Sequence, residues 1–383
     1  MNTPPLSTLY CYLTQGCNLA CRHCWLQPQF DPDGNKYPCL DVGLFAAVID
    51  EARPLGLDAV KLTGGEPLLH PDFDGVLEAV RTAGLTLQVE TNGVLCTAAT
   101  AAALAACRDP SVSVSLDSPR AAVHDHIRGV PGAFERACAG VRHLAEAGLG
   151  PQVVMTVMAE NLDDVDGMVG LAEDLGAGSV KFNIVQPTAR GEALHAGAAV
   201  ADIDRIIALS RRVNLELASQ TELRLEFDVP MAFRPLSLLA AGRAAGRCGI
   251  MQILGLLPTG HYALCGIGEH LPDLVFGRAG VDDLRAVWAE HPVLVRLRQE
   301  VPGAFEGVCG RCLMKHLCLG SCIAQNYYRT GSLTGAHWFC EQAEAQGLFP
   351  PSRSERLAAR RRVSRKGAKN AKAGQDGGGG LNH

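Results

Sequence analysis

Residues 9–25, LYCYLTQGCNLACRHCW, join a short apolar run to three closely spaced cysteines. The run at residues 9–13 is typical of a buried β-strand, and Cys17, Cys21 and Cys24 follow it in a predicted loop. Loops at the carboxyl ends of parallel strands carry the chemistry of many α/β proteins. Three thiolates at this spacing suit an iron–sulfur cluster whose fourth iron is open to another ligand. The pattern therefore predicts a binding site here, with buried packing cysteines or part of a zinc site as the alternatives.

The same strand pattern recurs to about residue 225, in alternation with helical patterns. Gly84, Gly148 and Gly176 follow helical segments, as expected of residues that end helices. Six consecutive β-α units predict an α/β fold with a parallel sheet, open or curled into a barrel. The predicted strands are residues 9–13, 59–62, 85–89, 112–116, 153–157 and 180–184, and the predicted helices are residues 42–52, 73–83, 98–107, 134–147 and 165–175.

Composition indicates a metal- or thiol-dependent protein inside the cell. The chain has 383 residues, of which 47% are hydrophobic and 15 are cysteines. It lacks an apolar run of the roughly 18 residues that a membrane span needs, and residues 1–8 do not form a secretory signal. We therefore expect a cytoplasmic protein without membrane association. Reducing conditions keep thiols free there, so the cysteines indicate metal ligation or thiol chemistry instead of disulfides.

Basic residues are concentrated in the C-terminal tail. The net charge is −5, yet residues 353–372 hold nine Lys and Arg, so the rest of the chain is strongly acidic. An acidic body argues against a nucleic acid partner. The tail has no aromatic residue after residue 350 and contains a glycine run, which predicts a solvated, disordered segment over residues 348–383. Contact of the tail with RNA or anionic lipid is the alternative.

Four further motifs follow predicted strands, and together with the cysteines they resemble the radical S-adenosylmethionine (SAM) superfamily. The aromatic Trp25 after the third cysteine fits the same family pattern. Because each motif follows a strand, all of them should meet at one rim of the sheet. The motifs are KLTGGEP at residues 61–67, VETNG at 89–93, SLD at 115–117 with Arg128 in HDHIRG, and VQPTARG at 185–191.

The resemblance implies a partial (β/α)6 TIM-type barrel over residues 1–230, with a cluster and SAM at its rim. In the family, the three cysteines hold a [4Fe-4S] cluster that binds SAM, and the Gly-Gly-Glu-Pro turn holds the SAM amino group. Two glycines permit close backbone approach, and a glutamate offers a counter-charge to an ammonium. An arginine placed like Arg128 meets the SAM carboxylate, and a surface ion pair is the alternative. The implied SAM-binding residues are Thr63, Gly64, Gly65, Glu66, Pro67, Asn92, Ser115 and Arg128.

Seven cysteines fall between residues 248 and 340, where the strand–helix alternation is no longer visible. A zinc ribbon is the alternative, but it would show two Cys-x2-Cys pairs, and seven ligands exceed one zinc site without completing two. The spacing resembles the SPASM domain of radical SAM maturases, which implies two auxiliary [4Fe-4S] clusters within residues 231–347. By that resemblance, Cys309, Cys312, Cys318 and Cys340 hold one cluster, and Cys248, Cys265 and Cys322 hold the other.

Two departures from the family pattern narrow the function. In relatives that fully ligate the cluster corresponding to Cys248, Cys265 and Cys322, another cysteine precedes the one that matches Cys248. Residues 238–247 of this chain, LLAAGRAAGR, contain no cysteine. That cluster either has an open iron, which would suit a cysteine-bearing peptide, or takes a fourth ligand such as His261 or water. Sulfatase-maturating relatives carry an aspartate directly after the cysteine that matches Cys265, and this chain has Gly266 there. The glycine argues against formylglycine formation.

Several polar residues are candidates for direct roles. Cys96, on the predicted rim, is a candidate hydrogen-atom donor, with buried packing as the alternative. Lys61, Glu90, Lys181 and Asn183 lie near strand ends, where they either face the substrate or have structural roles. Two histidines beside a charged run are predicted to be solvated, namely His124 and His126.

The resemblance implies an oxidoreductase that cleaves SAM to a 5′-deoxyadenosyl radical and removes hydrogen from a ribosomally made peptide. The product would be a thioether or other cross-link, an oxidised side chain or an epimer. The alternatives are a small-molecule enzyme, as in tetrapyrrole modification, and an electron carrier or zinc-stabilised adaptor without SAM chemistry. Expected partners are a peptide, including one that carries cysteine, and an electron donor such as flavodoxin or ferredoxin. Residues 1–16 are too few for a fused winged-helix domain, so recognition of the peptide is expected from the core, from residues 190–247 or from a separate peptide-recognition protein.

Overall fold

The six predicted β-α units are present in the computed structural model, which describes residues 3–240 and 249–355. The predicted helices differ from the observed ones by at most two residues at either end. The largest difference is in the fourth predicted strand, which begins at Arg108 because Arg108 and Ser111 pair with the preceding strand on either side of a bulge. Cys248 and residues 356–383 lie outside the described residues, so the predicted ligand role and the predicted disorder there stay predictions.

The elements follow one another in chain order. The strands are β1 (Thr8–Tyr12), β2 (Gly16–Cys17), β3 (Gln29–Phe30), β4 (Ala59–Thr63), β5 (Thr86–Thr91), β6 (Arg108–Ser115), β7 (Gln152–Val157), β8 (Ser179–Ile184), β9 (Arg224–Phe227), β10 (Ile253–Leu256), β11 (His261–Ala263) and β12 (Val275–Arg278). The helices are α1 (Val42–Ala52), α2 (Phe73–Ala83), α3 (Ala98–Ala105), α4 (Ala121–Arg128), α5 (Ala133–Glu146), α6 (Val165–Asp174), α7 (Arg190–Ala196), α8 (Ile203–Leu215), α9 (Leu236–Ala240), α10 (Leu284–Glu290), α11 (Pro292–Glu300), α12 (Gly307–Gly310), α13 (Lys315–Cys318), α14 (Ile323–Thr330) and α15 (Trp338–Ala345). None of the helices in the described ranges is long and apolar enough to cross a membrane.

Polar side chains at the helix starts explain several of these bounds. Asp41 accepts a hydrogen bond from the Leu44 amide at 2.7 Å, and Asp72 accepts one from the Gly75 amide at 3.0 Å. Such a cap typically stabilises a helix by about 1 kcal/mol. Helix α2 ends at Gly84, whose φ of +63° suits the left-handed conformation of a helix terminus.

Ten strands form one sheet in the order β12-β11-β10-β1-β4-β5-β6-β7-β8-β9. All neighbours from β10 to β9 are parallel, and β10, β11 and β12 form an antiparallel meander. Thr8 of β1 lies opposite Ala59 of β4 on one side and Ile253 of β10 on the other. Because parallel strands end at the same edge, the loops that carry the sequence motifs open on one rim. The predicted α/β architecture with a parallel sheet is confirmed.

The edges of the sheet extend beyond the prediction. The pattern predicts alternation only to about residue 225, whereas the structure adds β9 at one edge and β10 to β12 at the other. These strands have three or four residues each, which is too short for periodicity to reveal them. The cysteine-rich segment is therefore continuous with the sheet through β10, and the boundary between residues 230 and 231 stays a prediction.

One apolar core joins the sheet to the C-terminal segment. The Phe233 ring makes edge-to-face contacts with Phe339 and Phe349, with ring centroids 5.1 and 5.7 Å apart. Such pairs add about 0.5–1.5 kcal/mol beyond their buried area. The guanidinium of Arg353 donates to the Arg234 carbonyl oxygen at 3.1 Å. The prediction of a disordered tail is therefore wrong for residues 348–355, because the composition of the later residues hid an apolar start, LFPP.

Candidate active site

The three cysteines that follow β1 line a cavity of about 240 Å³ at the carboxyl end of the sheet. Cys17 and Cys21 are buried, Cys24 is partly buried, and none of the three forms a disulfide. The Leu19 amide donates to Cys17 Sγ at 3.5 Å. Burial raises the pKa of the Cys17 and Cys24 thiols, because removal from water disfavours the thiolate. Thiolates in this position need a neighbouring cation, which a metal ion provides.

Two glycines after β4 let the next loop pack directly on the cysteine loop. The Gly65 amide donates to the Thr14 carbonyl at 2.9 Å, and the Glu66 amide donates to the Gly16 carbonyl at 3.0 Å. A Cβ on Gly65 would lie 1.9 Å from the Gly16 carbonyl oxygen. Gly64 has a φ of +126°, a conformation that residues with side chains rarely adopt. The Gly-Gly sequence therefore holds the two loops together in the cavity wall.

Glu66 is a buried carboxylate in the same wall. Its Oε1 accepts from Thr91 Oγ1 at 2.6 Å and from the Leu68 amide at 3.1 Å, and its Oε2 accepts from the Asn92 amide at 2.8 Å. Desolvation raises the pKa of Glu66 to about 7, although these hydrogen bonds act in the opposite direction. Its hydrogen-bond donors are neutral, so an ammonium from a ligand would stabilise the ionised form. This arrangement fits the role predicted for Glu66.

Asn92 connects the loop after β5 to the cysteine loop. Its Nδ2 donates to Asn18 Oδ1 at 2.7 Å and lies 4.0 Å from Cys17 Sγ. Its Oδ1 accepts from the Val94 amide at 3.0 Å. Asn92 therefore fixes the position of the first cysteine, a contact that the sequence alone did not predict.

Arg128 and Asp117 form a buried ion pair beside the cysteines. Arg128 Nε lies 2.7 Å from Asp117 Oδ2, and the two side chains are 8% and 0% exposed. The orientation does not meet hydrogen-bond geometry, so the contact is electrostatic. Arg128 Nη1 also donates to Cys21 Sγ at 3.6 Å. Arg128 lines the cavity as predicted, but its ion pair is internal and buried, which corrects the alternative of a surface pair.

Two uncharged histidines surround this ion pair. Desolvation lowers the pKa of His23 and of His124 to about 4. His124 Nδ1 accepts from the Asp117 amide at 3.2 Å, so the prediction that His124 is solvated is wrong. His126, the other histidine predicted to be solvated, is exposed, and its Nε2 lies 2.6 Å from Arg22 Nη1. The error arose because position on a charged helix does not reveal which face is buried.

The remaining predicted residues divide into two groups. Thr63 and Ser115, at the ends of β4 and β6, line the cavity. Pro67 is buried at the start of a short 3-10 helix and does not line it. Cys96 is also buried away from the cavity, against α5, where a Cβ on Gly140 would lie 3.2 Å from its own Cβ. Burial raises the pKa of Cys96 to about 11, and its position favours the packing role.

Arg190 is a cavity residue to which the sequence analysis gave no role. It donates to the Cys21 carbonyl at 3.1 Å and to the Pro28 carbonyl at 2.8 Å. The next residue has no room for a side chain, since a Cβ on Gly191 would lie 2.0 Å from the Gln186 carbonyl oxygen. Arg190 therefore fastens the cysteine loop to the loop after β8. The sequence feature that could have indicated this role is the Arg-Gly pair at the end of VQPTARG.

A second cavity, of about 360 Å³, adjoins the first. Both cavities have His23, Trp25, Thr156 and Asn183 in their walls. The second cavity also reaches the C-terminal segment, where Cys322 and Gln325 line it. Two of the predicted strand-end residues, Lys61 and Lys181, contribute charged groups to its wall.

Cysteines of the C-terminal segment meet around a third, small cavity of about 10 Å³. The Cys309 and Cys340 thiols are hydrogen-bonded to each other, which lowers the pKa of Cys309 and raises that of Cys340. The His337 amide donates to Cys309 Sγ at 3.4 Å, and the Met314 amide donates to Cys312 Sγ at 3.3 Å. The four cysteines in this wall are those predicted to share one auxiliary cluster, namely Cys309, Cys312, Cys318 and Cys340.

Comparison with known proteins decides the family. The profile of the Radical SAM superfamily matches residues 11–172. Over 343 residues the chain is 31% identical to the AdoMet-dependent heme synthase of Methanosarcina barkeri, which covers 86% of this chain and 94% of that protein. This chain belongs to the radical SAM superfamily.

Two further proteins are similar over most of their length. Mycofactocin maturase MftC of Mycobacterium ulcerans is 30% identical over 363 residues, which cover 92% of this chain and 91% of that protein. The structure of Streptococcus suis SuiB bound to the precursor peptide SuiA superposes with a TM-score of 0.68 at 16% identity, covering 88% of this chain and 76% of SuiB. The latter similarity shows a shared fold. The predicted superfamily and the predicted enzyme class are confirmed.

The first cavity fits the two groups that a radical SAM enzyme binds, a [4Fe-4S] cluster and SAM. Its wall holds three cysteines, the number of thiolates predicted for three irons, and the Glu66 carboxylate predicted to meet an ammonium. Within residues 3–240 and 249–355, no three His, Cys, Asp or Glu side chains are arranged to hold a single metal ion. Cysteines of a [4Fe-4S] cluster bind different irons, so they do not have to converge on one point. Three thiolates that do not converge on one point are therefore compatible with a cluster.

The other predicted auxiliary ligands are only partly visible. Cys265 follows β11, Cys322 precedes α14, and both are partly buried. Cys248, the third member of this group, lies outside the described residues. The grouping of these three cysteines around one cluster therefore stays a prediction.

Proposed function

We propose that this radical SAM enzyme modifies a ribosomally made peptide. The observation that carries the proposal is the second cavity, which adjoins the first cavity and extends to Cys322 and Gln325 of the cysteine-rich segment. Two similarities support it: the chain resembles mycofactocin maturase over nearly its whole length, and SuiB, whose fold it shares, binds a precursor peptide. The product would be a thioether or other cross-link, an oxidised side chain or an epimer.

The residues of the first cavity would hold the reactive groups in place. Cys17, Cys21 and Cys24 would ligate three irons, and Glu66 would accept the amino group of SAM. The bound cluster and SAM supply an electron and the 5′-deoxyadenosyl group that together generate the hydrogen-abstracting radical. Arg190 keeps the cysteine loop fixed against the loop after β8 through two hydrogen bonds to carbonyl oxygens. A fixed site is needed because radical abstraction depends on close and constant placement of the reacting atoms.

We further propose two auxiliary [4Fe-4S] clusters in the C-terminal segment. The four-cysteine cavity supports the first, since its wall holds the complete predicted ligand set. Pro230 and His337 line both that cavity and the second cavity, so the two spaces are neighbours. That placement suits acceptance of an electron from a substrate radical. Cys265, Cys322 and Cys248 would hold the other cluster.

A small-molecule reaction, as in tetrapyrrole modification, is the second candidate. The heme synthase of Methanosarcina barkeri is as similar in sequence as the mycofactocin maturase is. The genes beside this one would discriminate the two candidates. A short, cysteine-rich peptide gene would favour the maturase, and genes of haem synthesis would favour the second candidate.

The proposed maturase has further requirements. Its clusters are oxygen-labile, which fits a reducing cytoplasm. An electron donor such as flavodoxin or ferredoxin would reduce the cluster held by Cys17, Cys21 and Cys24. Recognition of the peptide would come either from this chain or from a separate protein.

SAM cleavage tests the proposal. The anaerobically reconstituted enzyme is reduced with dithionite and given SAM with either the peptide encoded beside its gene or a tetrapyrrole. Formation of 5′-deoxyadenosine together with a mass change in the peptide supports the maturase, and modification of the tetrapyrrole alone supports the second candidate. Absence of cleavage with either compound, and zinc in place of iron, would indicate an adaptor. The variant with Cys17, Cys21 and Cys24 all changed to Ala is the inactive control.

A further inference from the structure

The guanidinium of Arg128 contacts a cysteine sulfur and a carboxylate at the same time. Its Nη1 donates to Cys21 Sγ at 3.6 Å, and its Nε lies 2.7 Å from Asp117 Oδ2. Its Nη2 makes no hydrogen bond within the part of the chain that the structure describes, and Arg128 lines the first cavity. One nitrogen therefore stays available for the SAM carboxylate that the family resemblance assigns to Arg128, while the other two serve the protein itself.

Backbone contacts hold Arg128 against the cysteine loop independently of its side chain. The Ala20 amide donates to the Arg128 carbonyl at 3.0 Å, and the Arg22 amide donates to the Ile127 carbonyl at 3.0 Å. Gly129 follows the helix α4, and a Cβ there would lie 2.8 Å from the Ala20 carbonyl oxygen. A change of the Arg128 side chain therefore leaves the end of α4 attached to the loop.

Asp117 is a fixed anchor for the guanidinium. Its Oδ1 accepts from the Thr156 amide at 2.9 Å, and its backbone carbonyl accepts from Asn161 Nδ2 at 2.7 Å. The carboxylate is fully buried, so water does not compete for the cation. The orientation of Arg128 towards Cys21 therefore depends on Asp117.

Arg128 is the only charged side chain that donates to one of the three cysteine sulfurs within residues 3–240 and 249–355. Cys17 Sγ accepts from the Leu19 amide at 3.5 Å and has the Asn92 side-chain amide at 4.0 Å, and both groups are uncharged. Arg190 also binds the loop, but it donates to backbone carbonyl oxygens. A change at Arg128 therefore removes the charged donor from these sulfurs.

A charged donor at a ligand sulfur affects the reduction potential of an iron–sulfur cluster. Hydrogen bonds to the sulfurs and nearby charges are among the factors that set this potential. One-electron reduction adds a negative charge to the cluster and its thiolates, and a cationic N–H donor stabilises the more negative state more strongly. Because Arg128 is buried, salt and water screen this effect little.

We propose that Arg128, oriented by Asp117, raises the reduction potential of the cluster held by Cys17, Cys21 and Cys24. Arg128 acts through the Cys21 sulfur, and Asp117 is a positioning residue that acts through Arg128. In the reduction the cluster takes one electron from an external reductant, and neither side chain gains or loses a proton. This inference rests on the cysteine ligands proposed above and is independent of which substrate the enzyme modifies.

An anaerobic redox titration of the reconstituted enzyme tests the inference. Dithionite and dye mediators set the potential without SAM, and electron paramagnetic resonance follows the reduced cluster. The relevant signal is the one that is missing when Cys17, Cys21 and Cys24 are all changed to Ala. Arg128→Met/Asp117→Asn removes the charged donor without leaving a buried charge. Its potential should be lower by about 59 mV, which for one electron equals the tenfold preference expected of a charged hydrogen bond.

A second variant should shift the potential in the opposite direction. Asp117→Asn alone keeps the Arg128 cation but removes its counter-charge, and the asparagine Oδ1 can still accept from the Thr156 amide. The potential should therefore be higher than that of the wild type. A general disturbance of the cysteine loop would not produce opposite shifts in the two variants. A lower potential in both of them would overturn the inference.

Arg22→Met is the matched control. Arg22 is adjacent to Cys21 in the sequence, but its side chain is 37% exposed and lies 2.7 Å from Glu160 Oε1. Solvent screens this charge, so its loss should change the reduction equilibrium less than twofold, or by less than about 18 mV. An equal shift in the control and in Arg128→Met/Asp117→Asn, or no shift in that double variant, would overturn the inference.

Iron content distinguishes this inference from the proposed cluster ligands. If the wild type and the variant with Cys17, Cys21 and Cys24 changed to Ala bind the same amount of iron, the ligand proposal fails and this inference fails with it. If four irons are lost in that variant and the potentials still do not depend on Arg128, the ligand proposal stands and this inference alone is wrong. SAM cleavage is not part of either measurement.

Discussion

A Cβ placed on Gly266 would lie 2.4 Å from Cε1 of the Tyr12 ring. The Leu26 side chain is almost as close, with Cδ2 at 2.5 Å from the same point. Tyr12 is the last residue of β1 and is buried, so it cannot move aside without disturbing the central sheet. Gly266 follows Cys265, and the sequence resemblance implies an aspartate at this position in sulfatase-maturating enzymes. In this chain the space for that side chain is filled by Tyr12 and Leu26.

We expect Gly266→Asp to destabilise the protein by about 1–3 kcal/mol, the usual cost of forcing atoms into a packed interior. The midpoint of urea unfolding, measured anaerobically, gives the loss. Gly303→Ala is the matched control, since the nearest atom to a Cβ there is the Glu300 oxygen at 3.8 Å. Gly266→Ala should cost less in a Tyr12→Ala background than in the wild type. Equal costs in the two backgrounds would show that Tyr12 does not fill the space.

The affinity for SAM should increase with pH through the pKa of Glu66. Burial raises this pKa from 4.5 to about 7, and an ammonium binds the ionised form. Only about a tenth of the carboxylate is ionised one pH unit below its pKa, so SAM should bind about tenfold more tightly at about pH 8 than at about pH 6. Equilibrium dialysis of SAM against the reconstituted enzyme measures this dependence. Glu66→Gln should bind SAM more weakly and lose the part of the pH dependence that does not come from SAM itself.

Glu66 also makes the stability of the protein depend on pH. Stability should fall as pH rises, whereas the affinity for SAM should increase. Between about pH 4.5 and 7 the folded protein binds more protons at Glu66 than the unfolded chain does. The contribution of Glu66 to the free energy of unfolding therefore falls as pH rises through this window and is constant above it. Urea unfolding of the wild type and of Glu66→Gln over this range measures the contribution as a difference. Parallel curves for the two proteins would contradict the raised pKa.

Breaking the ion pair between Arg128 and Asp117 should be strongly destabilising. Arg128→Met leaves the Asp117 carboxylate buried without its cation, which typically costs about 3–5 kcal/mol. Asp117→Asn in the Arg128→Met background removes the unpaired charge and should restore part of the loss. The control is Arg212→Met, which breaks an ion pair with Asp166 whose side chains are 41% and 58% exposed. That change should alter the free energy of unfolding by less than about 1 kcal/mol, and similar losses in the two single variants would refute the argument.

The strongest sequence signals were those fixed by local chemistry. The three cysteines, the Gly-Gly turn and Glu66 could be placed on one rim because each follows a strand with clear apolar character, and the structure brings them into one cavity. The family resemblance also predicted that four C-terminal cysteines form one group. These cysteines, Cys309, Cys312, Cys318 and Cys340, line one cavity.

Contacts between segments that are far apart in the sequence could not be predicted from it. Arg190 donates to the Cys21 carbonyl across 169 positions of the sequence, and no local pattern indicates such a contact. Strand β10 has only four residues, so its pairing with β1 depends on the tertiary fold and not on periodicity. His124 was expected to be solvated because it lies beside charged residues, but helix α4 turns it towards Asp117. In each case the missing information was which surfaces meet after folding.

Iron counts should distinguish the first cluster from the auxiliary clusters. A [4Fe-4S] cluster contains four irons, so three clusters give about twelve irons per chain. Changing Cys17, Cys21 and Cys24 to Ala should leave about eight irons and abolish SAM cleavage. Changing Cys309 and Cys312 to Ala should also leave about eight, because two of the four sulfurs in the C-terminal cavity are lost. This second variant should still cleave SAM, since the first cavity is intact.

Cys138→Ala is the matched control for these variants. Cys138 is buried on α5 and does not line any of the three cavities described above, so its loss should leave the iron content unchanged. Loss of SAM cleavage in the Cys309 and Cys312 variant with eight irons retained would mean that the two sites are coupled more closely than their separate cavities indicate. Retention of all twelve irons in that variant would show that this group of cysteines does not hold a cluster. Peptide modification lost while SAM cleavage persists would place the auxiliary cluster after hydrogen abstraction in the reaction.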